Sequence, residues 1–301
     1  MTIPHPIPYQ GSKRRIAHEI IAYFPRDAER LIEPFAGSAA VSIAAAYYSK
    51  SKYFILNDIN EALMNLWHNI VNRSETTTNE YEKLWFAQKG CEREYYNYIR
   101  DEFNKTQNPN YFLYLLARCV KGSIRYNSKG EFNQSPDNRR LGMHPTTMRK
   151  QIFGASRLLK GKACIKCADY KDMLTLATPQ DIVYMDPPYQ GVCGNRDPRY
   201  FSDVAFHDFI KILQQLNSEN ISYILSYDGR TDLKSYGKPL PNSLELTLIE
   251  IEAGRSTQAT LLGRCAYTIE SLYLSKALVS RLGKVTVPQK TFQSFLVEES
   301  R

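Results

Sequence analysis

Asp181-Ile-Val-Tyr-Met-Asp-Pro-Pro-Tyr189 is a short apolar run that stops at two prolines. A run of this length, bounded by turn formers, suits the central strand of a parallel sheet, so a strand is expected over 182–185. Pro187 and Pro188 have no amide hydrogen to give to a ladder, and the strand must end there. Asp186, Pro187, Pro188 and Tyr189 are then expected at the carboxyl edge of the sheet, where open α/β folds hold their ligands. Together they suit an exocyclic amino group on a flat ring. A carboxylate and a proline carbonyl can each accept one N–H of a nitrogen whose lone pair is otherwise drawn into that ring. Charge-assisted acceptance is the stronger kind, and it acts where charge grows in the transition state. Tyr189 adds a ring face for stacking. A strand-ending turn without chemistry uses the same residue types, so the surrounding chain has to decide.

That chain has 301 residues, 43% hydrophobic and 23% charged, enough for a full α/β core and a second small lobe. Its 39 Lys and Arg against 31 Asp and Glu give a net charge of +8, which favours a polyanionic partner such as nucleic acid. The richest apolar run, 111–120, is short and broken by Arg118, so no membrane span is expected. The first residues, with Pro4, His5, Pro6 and Pro8, lack the layout of a signal peptide. Six scattered cysteines do not form a disulfide framework, and a reducing cytoplasm is expected. Cys164-Ile-Lys-Cys167 has neither a second pair nor a neighbouring histidine; it reads as strand alternation, and no metal site is expected.

Four further segments read as pieces of one site. Tyr9-Gln-Gly-Ser-Lys13 precedes an expected amphipathic helix over 16–24, and its exposed amides with Lys13 suit an anion or a ligand carboxylate. Glu33-Pro-Phe-Ala-Gly-Ser38 reads as strand, tight turn and helix start. Its small residues let a ligand lie close, but it is neither a dinucleotide fingerprint nor a phosphate loop. Glu33 there repels phosphate and attracts a cation. A strand over 53–57 ends on Asp58 and Ile59, where nucleotide-type folds hold ribose hydroxyls; an N-cap aspartate is the plainer reading. A strand near 164–168 ends on Asp169 and Tyr170.

Between these pieces the strand–helix alternation breaks. Residues 72–160 read as a mainly helical, tyrosine-rich insertion into a domain formed by 1–71 and 161–301. Within it, 122–134 reads as a hairpin with its tip at 127–130. Arg125, Tyr126, Asn127, Lys129 and Asn133, with Arg139 and Arg140 beyond, are residue types that contact phosphates, base edges and stacked bases. A surface hairpin on a helical insertion has the same pattern. After Tyr189, residues 190–203 read as a substrate loop. A helix over 205–217, a strand over 221–227 and two antiparallel strands near 244–251 and 267–275 complete the expected order.

In this order the segments resemble the Dam-like, D12 (alpha-type) DNA adenine-N6 methyltransferases, over about 8–275. Tyr9-Gln-Gly-Ser-Lys13 is similar to the family's aromatic-x-Gly-Gly-Lys opening. Glu33-Pro-Phe-Ala-Gly-Ser38 resembles its cofactor turn, and Asp58 its ribose-binding acid. Asp169-Tyr170 falls where the family brackets the cofactor adenine, and Asp186-Pro-Pro-Tyr189 is the catalytic tetrapeptide. The resemblance implies a Rossmann-like, mostly parallel methyltransferase sheet with an antiparallel strand near the C-terminus. It implies S-adenosyl-L-methionine as methyl donor, a flipped adenine in double-stranded DNA as substrate, and no metal. Arg125-Tyr-Asn and Gly130-Glu-Phe-Asn133 resemble the family's DNA-contacting hairpin. The chain then runs Gln134-Ser-Pro-Asp-Asn-Arg-Arg140 where the family often has Val-Pro-x-Gly-Arg, which leaves the target open between GATC and another adenine-containing site. A restriction–modification setting is implied, with a cognate endonuclease acting on the same site without stable association. Cytosine-N4 methylation, RNA adenine methylation and an inactive nucleic-acid-binding homologue are the competing readings.

Overall fold

The computed structural model describes residues 2–188, 206–227, 230–231, 234–235, 239–255 and 267–283. Tyr189, the loop 190–203 and the residues around Asp228 and Gly263 lie outside them. The fold is built on a parallel sheet of β1 (Arg30–Glu33), β2 (Tyr53–Asn57), β3 (Ala163–Lys166), β4 (Ile182–Met185) and β5 (Tyr223–Ser226), in the order β3-β2-β1-β4-β5. Every residue of β4 and β5 is buried. Both strands are covered on two faces, which is why they are continuous apolar runs without alternation. At the edge, β3 alternates half-buried with exposed, and Cys164 faces outward.

Two short strands, β6 (Arg230–Thr231) and β7 (Lys234–Ser235), were not expected. β8 (Thr247–Arg255) and β9 (Tyr267–Leu274) close the sheet: β9 runs antiparallel to β5, β6 and β8. β8 runs further than the sequence indicated, through a register shift between Glu252 and Gly254. After β9, α10 (Lys276–Leu282) follows, a helix the sequence reading did not anticipate; Ser275 caps it by accepting from Leu278 N.

Helices cover both faces: α1 (Ala17–Ala22), α2 (Ala40–Tyr47), α3 (Glu61–Asn72), α8 (Tyr170–Leu174) and α9 (Phe206–Ser218). The first helix is shorter than expected; residues Lys13–Arg15 form a separate 3-10 turn, and Ser12 makes no side-chain cap. α3 starts at Asn60, whose Oδ1 accepts from Leu63 N at 3.1 Å, and buries Leu63, Leu66, Trp67 and Ile70 along one face.

The segment 72–160 supplies α4 (Ser74–Ala87), α5 (Glu92–Thr106), α6 (Pro109–Arg118) and α7 (Pro145–Leu159). Both α6 and α7 begin with proline at the first helical position, where no amide hydrogen is needed. These helices do not form a separate core. Tyr81, Tyr96, Tyr114, Phe103 and Phe112 belong to the same buried cluster as Leu31, Leu56 and Tyr184 of the sheet. The tyrosine-rich composition therefore serves packing: Tyr81 OH donates to Met143 O and Tyr96 OH to Gln134 O.

The two ends of the sheet are treated differently. At the amino end, Arg30 makes a two-pronged contact with Asp181, at 3.0 and 2.7 Å, tying the start of β1 to the start of β4. Arg281 of α10 donates to the carbonyls of Pro179, Gln180 and Asp181. The carboxyl end is left for a site.

Gly122 joins the insertion to the N-terminal segment. Its O accepts from Gln10 N at 3.0 Å, its φ is +60°, and a Cβ there would lie 2.8 Å from the Pro8 carbonyl. Gly122→Ala is expected to lower stability by about 1–3 kcal/mol, read as a lower urea midpoint with an unchanged slope. An unchanged midpoint would contradict the close approach.

Candidate active site

The strand order reverses between β1 and β4, which are parallel neighbours paired at Leu31↔Ile182 and Ile32↔Val183. Their following segments diverge, and a cleft opens over their carboxyl ends. It holds about 1240 Å³ of atom-free space, open mouth included. Tyr9, Lys13, Glu33, Pro34, Phe35, Gly37, Ser38, Asp58, Ile59, Asp169, Tyr170, Asp186, Pro187 and Pro188 all line it. Every candidate cofactor residue and the first three of the catalytic tetrapeptide thus share one space; Tyr189 lies outside the described residues.

A buried amide scaffolds the rim. Asn57, at the end of β2, donates through Nδ2 to Pro34 O and Ala168 O, both at 3.0 Å, and its Oδ1 accepts from Ala168 N at 2.9 Å. One side chain so joins the ends of β1, β2 and β3. The sequence reading passed over it, because an asparagine closing a strand gives no sign of three backbone partners.

The glycine turn after β1 is braced from two sides. Asp58 Oδ2 accepts from Gly37 N at 3.1 Å and Trp67 Nε1 donates to Gly37 O at 2.9 Å. Gly37 has φ +49°, and a Cβ there would meet the Tyr9 ring at 3.2 Å. Asp58 does not cap α3. Its Oδ1 accepts from Asn60 N, while Asn60 is the cap. Burial pushes the Asp58 carboxyl up from its ordinary value, against the backbone N–H bonds of Asn60, Gly37 and Ile59. Asp169 is exposed and caps α8, accepting from Lys171 N at 2.8 Å. The Tyr170 ring lies tilted on Phe35, centroids 5.2 Å apart, and its hydroxyl is buried without a hydrogen-bond partner among the described residues.

Lys13 departs most from its expected setting. No exposed helix end presents it to an anion. It is buried, with Nζ 3.1 Å from Asp186 Oδ1 and 3.3 Å from Glu270 Oε2. Two carboxylates, one following β4 and one on β9 across the intervening β5, draw the ammonium inward. Glu33 is buried as well; Ser42 donates to its Oε2 through both N and Oγ. Burial raises the Glu33 carboxyl to about 8, opposed by the Ser42 bonds and assisted by the negative charges of Asp186 and Asp58.

The hairpin residues divide. Arg125, Lys129, Asn133, Arg139 and Arg140 are exposed. Tyr126 is not on that surface: it lines the cleft, and its hydroxyl accepts from Asn60 Nδ2 at 3.1 Å. Asn127 is engaged within the turn, where its Oδ1 accepts from Lys129 N and Glu131 N and its Nδ2 donates to Glu131 Oε2. The expected hairpin is reduced to one bridge, Tyr126↔Phe132, held to α5 by Asn104, which exchanges two hydrogen bonds with the Phe132 backbone. Among the described residues no cluster of His, Cys, Asp and Glu fits a metal ion, and no helix is long and apolar enough to cross a membrane.

The arrangement suits a cationic, partly flat ligand. Acidic groups surround a turn that lacks a phosphate cradle, two rings offer a stacking wall, and the orphaned Tyr170 hydroxyl awaits a polar partner. Comparison with known proteins points the same way. The profile of D12 class N6 adenine-specific DNA methyltransferases matches residues 9–256. The chain is 31% identical to a retron Ec67 DNA adenine methylase from Escherichia coli, over 84% of this chain and 87% of that one. It is 26% identical to a DNA adenine methylase from Serratia marcescens, over 85% and 93%. A type II methyltransferase, M.MjaIII, from Methanocaldococcus jannaschii is 27% identical over 76% and 85%.

Glu33 makes stability depend on pH. Its folded-state value of about 8 lies above its ordinary 4.5, so the folded protein keeps a proton that the unfolded chain releases. The stability this contributes is complete below about 4.5 and is lost as pH rises toward about 8. Glu33→Gln is expected to flatten that fall, with a difference on the order of a few kcal/mol between the two ends of the window. Urea denaturation across this range checks it; parallel curves for variant and wild type would contradict it.

Proposed function

The chain belongs to the D12 class of N6 adenine-specific DNA methyltransferases, and from that premise we propose how its own residues carry out site-specific methylation of adenine in DNA. The observation that carries the reading is the position of Asp186, Pro187 and Pro188 on the wall of the same cleft as Glu33, Asp58 and Tyr170. S-adenosyl-L-methionine, the donor we assign to the cleft, supplies when bound an electrophilic methyl on a positive sulfur. Its positive charge agrees with the acidic groups on the cleft wall, where a cation beside Glu33 would favour loss of the proton that burial keeps on it, and its lack of phosphate with a glycine turn that has no phosphate loop.

In this reading Asp58 and the Gly37 turn would hold the sugar, and Phe35 and Tyr170 the flat base of the donor, with Asp169 at its edge. Glu33 faces the positive part. The target adenine leaves the duplex and presents its amino group to Asp186 and to the Pro187 carbonyl. Each accepts one N–H, which draws the nitrogen toward a tetrahedral shape with a localised lone pair. Tyr189, outside the described residues, is assigned the stacking role from the tetrapeptide alone. As the nitrogen gains its methyl group it sheds a proton, which Asp186 is placed to receive and pass to solvent. Rigid strand ends and a diproline keep these acceptors in position, so proximity and fixed charge carry most of the barrier reduction.

The exposed Arg125, Lys129, Asn133, Arg139 and Arg140 are proposed to hold the duplex, in binding that weakens as salt rises. A DNA substrate puts the site of action in the cytoplasm, at the nucleoid. A restriction–modification role, with an endonuclease reading the same site, is the biological setting we favour.

Labelled methyl transfer to DNA, followed by nucleoside analysis, tests the chemistry. N6-methyladenine is expected from wild type, and exclusive N4-methylcytosine would overturn the assignment. Asp186→Ala is expected to lower methyl transfer by at least about 100-fold while binding of S-adenosylhomocysteine stays largely intact. A variant that still transfers at the wild-type rate would remove Asp186 from the mechanism.

A further inference from the structure

Among the described residues Lys13 meets two carboxylates, Asp186 and Glu270, and of these Asp186 belongs to the proposed chemistry. Its side chain is 9% exposed, with Nζ 3.1 Å from Asp186 Oδ1 and 3.3 Å from Glu270 Oε2. Glu270 stands in the middle of β9, opposite Ile251 of β8, so its backbone is fixed by a ladder. The Ser226 hydroxyl, at the end of β5, approaches Glu270 Oε2 at 3.5 Å. Asp186 faces the donor cleft. Glu270 faces a second cavity, behind the N-terminal segment, lined also by Arg14, Lys121 and Arg140. Lys13 lines both, and its ammonium is the link through the wall.

An ammonium on a flexible four-carbon stem takes the position its partners dictate. With Asp186 alone it could pair with either oxygen and swing the carboxylate with it. A second carboxylate on a rigid strand holds it from the other side. We infer that Glu270 is a positioning residue for methyl transfer: by anchoring Lys13 it holds the Asp186 carboxylate in the orientation that receives the adenine amino group. Glu270 touches no reacting atom in this arrangement and acts only through Lys13. The inference rests on the role of Asp186 proposed above. A purely structural role, in which Glu270 offsets a buried charge, predicts instead a loss of stability with the remaining folded enzyme unchanged.

The test uses the full chain and a duplex containing the target site, read beforehand by modification-sensitive sequencing. Glu270→Gln is expected to lower kcat by about 10- to 100-fold, the effect of misplacing a reacting group by about 1 Å. KM for DNA and the calorimetric affinity for S-adenosylhomocysteine should stay within about twofold, because neither contact runs through Glu270. Glu270→Asp, which keeps the charge, should be faster than Glu270→Gln. In a Lys13→Met background, Glu270→Gln should change kcat by less than about twofold, since the route is already cut. A Glu270→Gln enzyme with the wild-type kcat overturns the inference. So does the same fold-loss with and without Lys13, or a loss confined to KM. Absence of adenine methylation by the wild type overturns the proposed function itself, whereas wild-type transfer with an indifferent Glu270 overturns this inference alone.

Discussion

A buried ammonium against a carboxylate at the end of a central strand is the contact on which the site depends. Asp186 follows β4 directly, and Lys13 arrives from a segment far away in the chain to meet it at 3.1 Å. A charge pair taken out of water is costly unless its geometry is held, and the whole sheet works to hold it. Arginines pin the amino ends of β1 and β4, and Asn57 gathers the carboxyl ends of β1, β2 and β3. The polar groups of the site are thereby held at the end of the sheet where strand order reverses.

The helical insertion takes part in that edge as well as in whatever lies outside it. Two routes lead from it to the glycine turn. One runs from Gly122 to Pro8 and Gln10, and from Tyr9 onto Gly37. The other runs from the Tyr126 hydroxyl to Asn60, from Asn60 N to Asp58, and from Asp58 to Gly37 N. Burial within the cleft pushes the Tyr126 hydroxyl up to about 12, so it stays neutral, able to accept from Asn60 and to donate in turn. The segment that carries the exposed arginines therefore also supplies, through Tyr126, a wall of the cleft over β1 and β4, and its aromatic residues pack into the core of the sheet.

Strands buried on both faces were legible in the sequence. The runs 53–57 and 182–185 coincide with β2 and β4, because an apolar run cut off by Asp58 or by two prolines has nowhere else to end. The mostly parallel sheet with an antiparallel strand near the C-terminus came instead from the family resemblance, since where a run ends says nothing of the direction of its neighbours. Residues clustered at strand ends were found because strand ends converge at a switch point. What could not be read was pairing across the fold. Glu270 sits in an ordinary strand pattern, and nothing local marks it as the partner of Lys13. Tyr126 looks like an exposed hairpin aromatic until the hairpin is seen to fold back over Asn60. α10 was missed for another reason: seven residues hold too little periodicity to stand out.

The account turns on the donor lying beside a fixed Lys13–Asp186 pair. A crystal structure of the protein with S-adenosylhomocysteine tests this most directly. The prediction is a sulfur atom in the cleft over β1 and β4, facing the Asp186 carboxylate, with Lys13 still between Asp186 and Glu270. A ligand bound elsewhere, or a Lys13 side chain turned away from Asp186 with the donor in place, would contradict it.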